Sequence, residues 1–377
     1  MLAHFVTHAR QLLDLLAAGM LLVACTSVLS MHATAAERIE VGFLAADNEE
    51  SEFWGGMARL AAAVAEDLNV DLRIVHPRHD KFENDGMALV NALGEGAYFM
   101  TYFLDERSHR MLQAAEGRNV RTMLINSEVP EKHREHLGAP RQKLSRWIGH
   151  MRPDDVQAGY QIAGLLIEHF EPADAIRMIA INGHNHLKAD ADRRKGLQQR
   201  VAESQRATLY DTKEAEWREN TAREVATELL NKYPETNAVW AASDLMALGV
   251  LAAVKDMGKR PGKDVVVAGV DWTSRGLAAI HAGDMVGSVG GHFTEAAFAL
   301  VLIYDYHHGY DFADELGASF KTPMVPMSKE DAGRYLEKVG SSPNPDWSRI
   351  DFRRFTKTHN PGLKRYDFSW ERIIEAL

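Results

Sequence analysis

The residues best suited to holding a small molecule follow apolar runs of strand length in this chain. Ser243 and Asp244 close the run Ala238-Val239-Trp240-Ala241-Ala242 and open a helical stretch. Their oxygens can cap that helix by accepting amide protons that lack helical partners. They can equally face a ligand with a hydroxyl and a carboxylate. Phe53-Trp54, Trp217 and Trp272 also lie just beyond strands. Such rings can pack on the C–H face of a sugar ring and leave its hydroxyls free for polar groups; Phe53-Trp54 can instead be a hydrophobic staple for the helix beside it. Arg193, in Asp190-Ala191-Asp192-Arg193-Arg194-Lys195-Gly196, is either part of a solvated charge run or a fork of donors for two adjacent ligand oxygens. Asn126 and Asp271 end strands and can hydrogen-bond hydroxyls, or cap the helices that follow.

Other chemistries lack their residues. Neither the dinucleotide fingerprint nor the Walker pattern occurs, and there is no His-Glu-x-x-His and no Gly-x-Ser-x-Gly. His184 and His186, and the pair His307-His308, have no third ligand at metal-binding spacing. The reading is therefore a binding protein that is not an enzyme and needs no cofactor and no metal.

Apolar runs alternating with helical stretches position these residues. Strands are expected at 39–46, 71–75, 97–103 and 120–125, and again at 176–181, 207–211, 238–242, 265–270 and 286–289. Alternation of this kind implies parallel sheets covered on both faces. Two such blocks place a cleft between strand ends, and ligands bind outside the carboxyl ends of parallel strands. The last fifty or so residues read as irregular, closing in a short helix at 370–376.

The chain has 377 residues with 43 Lys and Arg against 53 Asp and Glu, a net charge of −10. That balance disfavours nucleic acid, which needs a basic face. Residues 1–36 read as an export signal: His4, His8 and Arg10, an apolar run from Leu15 to Leu29, and a small-residue site at Ala33-Thr34-Ala35. Leu22-Val23-Ala24-Cys25 offers a second reading, lipidation at Cys25. Cleavage after Ala35 is preferred because the run stays apolar past Cys25. Both place the mature chain in the periplasm, and Cys25 is the only cysteine.

Together these residues resemble the type I periplasmic binding protein family, which includes ribose- and galactose-binding receptors and the sensor partners LuxP and TorT. The likeness rests on Asp244-Leu245-Met246-Ala247-Leu248-Gly249, on Asn182-Gly183 followed by Arg193 and Gly196, and on a strand ending at Asp271. It implies two Rossmann-like α/β lobes with parallel sheets, joined by three hinge crossovers near 148–150, 289–291 and 321–323, with a ligand cleft between them. The implied lobes are 37–148 with 291–321, and 149–290 with 322–377, the tail 340–377 packing on the second. The implied ligand residues are Phe53, Trp54, Thr101, Asn126, Arg193, Trp217, Ser243, Asp244, Asp271 and Trp272. The implied function is a receptor, expected to be a monomer, for a small polyhydroxylated ligand, most simply a sugar. It would present that ligand to an inner-membrane ABC permease, or alternatively act as co-receptor for a sensor protein such as a histidine kinase or diguanylate cyclase. One departure stands out: the family's polar hinge residue falls at Gly290-Gly291-His292.

Overall fold

The structure, a computed structural model, describes residues 38–342, 344–367 and 369–376. The export segment and Cys25 lie outside them.

Central strands too apolar to face water on either side build two mostly parallel sheets, with more polar strands at their edges. β1 (Glu40–Leu44), β2 (Asp71–Val75), β3 (Tyr98–Thr101), β4 (Arg121–Leu124) and β5 (Trp147–Pro153) build the first. β6 (Ile176–Asn182), β7 (Ala207–Glu214), β8 (Ala238–Ala241), β9 (Val266–Val270) and β10 (Gly287–Gly290) build the second. Two later strands, β11 (Ser319–Thr322) and β12 (Val325–Met327), each complete one sheet. The orders are β11-β5-β4-β3-β1-β2 and β12-β10-β9-β8-β6-β7, and only the β10–β12 pair is antiparallel. β3, β8, β9 and β10 are buried along their whole length. Each sheet reverses its order once, between β1 and β3 and between β6 and β8. Such switch points open a crevice at the strands' carboxyl ends.

Helices cover both sheets. On the first lie α1 (Trp54–Asp67), α2 (Phe82–Ala92), α3 (Glu106–Gly117) and the short α4 (Glu131–Leu137). The second carries α5 (Asp155–Glu168), α6 (Lys188–Ala202), α7 (Glu219–Lys232), α8 (Asp244–Asp256) and α9 (Ser274–Ala282). α10 (Glu295–His307) returns to the first lobe and packs on α1. The chain passes between sheets three times: at Asp154, at 291–294, and at 323–324. The first passage corrects the expectation at 148–150, because those residues pair with β4 and β11 inside the first sheet. Pro153 ends β5, and Asp154 caps the helix that follows, with its side chain accepting from the Gln157 N–H.

The tail is more ordered, and placed differently, than its sequence suggests. After the short α11 (Ala313–Leu316) comes α12 (Lys329–Val339), capped by Ser328 and packed on α9. Ser274 Oγ donates to Ser342 O at 2.9 Å, still on the second lobe. The chain then moves onto the first lobe. Phe352 N–H donates to Asp67 Oδ2 at 2.7 Å. Buried Asp305 on α10 accepts from Lys357 N–H (2.6 Å), Thr358 N–H (2.9 Å), Thr358 Oγ1 (2.6 Å) and Tyr366 OH (2.9 Å). The last helix, α13 (Trp370–Ala376), rejoins the second lobe: the Trp370 ring meets Trp272 edge-on at 6.1 Å, and Lys338 Nζ donates to Ile374 O at 3.0 Å. The expectation that residues 340–377 pack on the second lobe is therefore corrected. The middle of the tail belongs to the first, because α1 and α10 offer it carboxylates and an apolar face.

Candidate functional site

Arg193 sits on α6, where the helix crosses α5 at two glycines. A Cβ on Gly159 would lie 1.8 Å from Arg193 O, and one on Gly196 would lie 2.0 Å from Val156 O. This approach buries the guanidinium at the carboxyl end of β8. Its Nε donates to Asp155 Oδ1 at 2.8 Å and its Nη1 to Ala242 O at 2.7 Å. Nη1 lies 3.7 Å from Asp271 Oδ1, and Nη2 lies 3.4 Å from His292 Nε2. The Trp217 ring covers one face, its centroid 5.6 Å from the guanidinium carbon, and Trp217 in turn lies flat on Gly183. On the other side, Phe53 of the first lobe meets His292 at 4.7 Å. Trp54 and Tyr102 extend that aromatic wall, 5.1 Å apart. The lobes also touch through Arg275, which pairs with Glu219 of its own lobe at 2.8 Å and with Glu52 of the first.

Burial sets the charge states. It lowers the His292 pKa to about 3, helped by the Arg193 charge, so the ring is neutral. Arg193 can only donate. The ring's Nε2 lies 3.4 Å from both Arg193 Nη2 and Asp271 Oδ1, and its Nδ1 is buried without a partner. Burial raises Asp271 to about 7 against the pull of Arg193, and raises Asp155 in the same way. Two more buried atoms at strand ends lack partners: Asn126 Nδ2 and Asn182 Oδ1. Buried polar atoms of this kind are rare and need an explanation.

Backbone strain collects at the same strand ends. Asn126 (φ 56°), Glu216 (55°), Trp217 (61°), Asp271 (120°) and Trp272 (62°) are all left-handed without being glycine. Each costs on the order of 1 kcal/mol or more, and such costs gather at ligand clamps.

The sequence-derived residues divide. Phe53, Arg193, Trp217 and Asp271 meet through the contacts above, with Trp54 beside Phe53. Asn126 is tied to Glu295, whose Oε2 accepts its N–H at 2.6 Å. Four others belong to the scaffold. Thr101 Oγ1 donates to Leu44 O at 3.3 Å, tying β3 to β1. Ser243 caps α8 by accepting from Met246 N–H at 3.2 Å. Asp244 is fully buried and accepts from Thr273 N–H (2.9 Å), Thr273 Oγ1 (3.3 Å) and Ser288 Oγ (2.6 Å), so it fastens the loop behind Asp271. Trp272 is anchored by its Nε1, which donates to Ser288 O at 3.1 Å, and by its ring, which lies under Gly290, beside the small cavity it lines with Asp271.

Asp155, Asn182, His292 and Glu295 were not singled out as site residues from the sequence. Glu295 carried a signal, being the lone acid near the head of an otherwise apolar helix until Asp305. Its Oε2 accepts Asn126 N–H at 2.6 Å, and its Oε1 closely contacts Thr322 Oγ1. Thr322 Oγ1 is the donor in that contact, and it also lies 3.2 Å from Arg152 O. Burial raises this carboxyl to about 8. A folded pKa above the unfolded one means the folded chain holds the extra proton between about pH 4.5 and 8, so stability falls as pH rises through that window. Glu295→Gln keeps the side chain's shape without titrating. Melting curves at pH 5 and pH 8 should show wild type losing stability, by on the order of 1 kcal/mol per pH unit at the steepest. The variant should show a shallower loss, the remainder coming from Asp155 and Asp271. Equal slopes would refute the neutral acid.

Among the described residues, no group of three His, Cys, Asp or Glu could hold a metal, and no helix is long and apolar enough to cross a membrane.

Residues 105–307 match the model of the periplasmic binding protein domain. The chain belongs to the type I periplasmic binding protein family. A periplasmic sugar-binding protein from Pseudomonas fluorescens is similar across 89% of this chain and 99% of its own, at 26% identity and a TM-score of 0.78. An ABC transporter solute-binding protein from Actinobacillus succinogenes 130z, solved with bound D-allose, shares the fold of this periplasmic binding protein over 79% of it and 100% of its own length, at 18% identity and a TM-score of 0.70. The ribose import binding protein RbsB of Escherichia coli K12 is 30% identical over 38% of this chain and 46% of its own length. The ribose operon repressor of Halalkalibacterium halodurans is 28% identical over 44% and 50%. The chain spans about half the length of the curated relatives it matches.

Proposed function

We propose that this periplasmic binding protein is an exported, non-enzymatic receptor that closes on a neutral, polyhydroxylated molecule, a sugar or sugar-like compound, and presents it to an ABC importer. The observation that carries the ligand class is the pairing of Arg193. Its charge is met by Asp155 at 2.8 Å, and Asp271 stands beside it. No uncompensated cation is left there for a carboxylate or phosphate guest, while the unpartnered atoms of Asn126, Asn182 and His292 supply neutral hydrogen-bonding groups. Phe53, Trp54 and Trp217 supply ring faces. The guest touches both lobes and so favours the closed arrangement by its differential affinity. Relatives named for ribose, D-allose and xylitol support the class.

Calorimetric titration of the full chain with D-ribose, D-allose, L-arabinose and xylitol, beside the anionic sugar D-glucuronate, tests the reading. A neutral member should bind, and Asp271→Ala should weaken it roughly 10- to 100-fold, as expected for losing a hydrogen bond to a charged group. Binding of D-glucuronate alone, or an unchanged affinity in Asp271→Ala, would refute it.

A further inference from the structure

A small cavity of about 30 Å³ opens between the lobes, lined by Glu52 and Phe53 of the first lobe, Asp271 and Thr273 of the second, Phe293 from a crossing, and Trp347 from the tail. Trp347 is 4% exposed, and its indole Nε1 is buried with no hydrogen-bond partner. An indole N–H can only donate and usually finds an acceptor when buried. The tail is fixed on both sides of this ring: Ser342 O is held by Ser274 of the second lobe, and Phe352 N–H by Asp67 of the first. The ring itself leans on Phe293, 6.4 Å away. The ring is therefore held in place at a cavity that two residues of the candidate site, Phe53 and Asp271, also line.

We infer that the C-terminal tail completes the ligand site: Trp347 donates its indole proton to a small polar substituent of the guest, seated in the cavity between Phe53 and Asp271. The volume suits one or two waters, and so a hydroxyl or hydroxymethyl group and not a second ring. Trp347 then acts as a specificity-determining residue, separating polyols that carry such a group from those that do not. This inference rests on the cleft being the sugar site proposed above.

The test pairs two variants of the full chain. Trp347→Phe removes the donor and keeps a ring in place; Arg193→Ala removes the centre of the site. Each is titrated with D-ribose, D-allose, L-arabinose and xylitol, and the Trp347 indole N–H resonance of the wild type, assigned by its loss in Trp347→Phe, is followed. The expected result is about a tenfold weaker affinity in Trp347→Phe for the sugars the wild type binds best, a much smaller loss for the others, and movement of the indole resonance on titration. If Arg193→Ala abolishes binding while Trp347→Phe binds as the wild type does and the resonance stays still, the tail donor is refuted and the cleft reading stands. If none of the four compounds binds the wild type, both fall.

Discussion

Arg193→Ala should be the most damaging single change in this site. The substitution strips Asp155 of its donor at 2.8 Å and Ala242 O of its donor at 2.7 Å, and it leaves Asp155 and Asp271 buried with no cation. Breaking a buried ion pair by removing one partner costs about 3–5 kcal/mol, because the remaining charge stays uncompensated. Urea denaturation should show that loss at pH 8. The loss should shrink at pH 5, since burial already raises both acids and the lost arginine raises them further, so less uncompensated charge is left there. Binding of neutral sugars should disappear at either pH. A midpoint within about 1 kcal/mol of wild type at pH 8 would show that the cluster does not anchor the lobe.

Gly159→Ala should come next, and it acts without touching any functional side chain. The new methyl would lie 1.8 Å from Arg193 O, a backbone atom with no rotamer to escape into. α5 and α6 must separate, and Arg193 rides on α6. Overpacking of this kind costs about 1–3 kcal/mol, occasionally more, and the displaced guanidinium should weaken sugar affinity at least tenfold, about 1.4 kcal/mol. Gly164→Ala on the same helix is the matched control. Its methyl would meet only side-chain atoms, the nearest 3.5 Å away, so it should be neutral or stabilise slightly through the unfolded chain. Melting temperature and calorimetric affinity, measured on both variants, decide the matter. Indistinguishable behaviour would mean that the glycine contact does not position Arg193.

The two α/β lobes were legible because β3, β8 and β9 are short, apolar runs bounded by polar residues, and such runs have few other ways to be buried. The passage at Asp154 was not, because β5 runs on through Met151-Arg152-Pro153 to pair with β11, a strand far away in sequence. Arg193, Asp271 and Trp217 could be read from their place after strands and from the family likeness. Asp244 and Trp272 stand equally close to strand ends, yet spacing does not reveal which way a side chain turns at a left-handed residue. Trp272 turned to Ser288, and Asp244 to Thr273. His292, Asp155 and Glu295 meet partners from elements far apart in sequence, a relation that no local pattern encodes. The same holds for the tail, whose helix Lys329–Val339 is mostly polar along its length and whose anchors, Asp67 and Asp305, belong to distant helices.

That tail has a thermodynamic consequence. A receptor whose lobes are joined only by crossovers samples many relative orientations when empty, and binding must remove that freedom. Here a segment fastened first to one lobe, then to the other, then to the first again narrows the angular range before any guest arrives. Less entropy then remains to be lost when the lobes close.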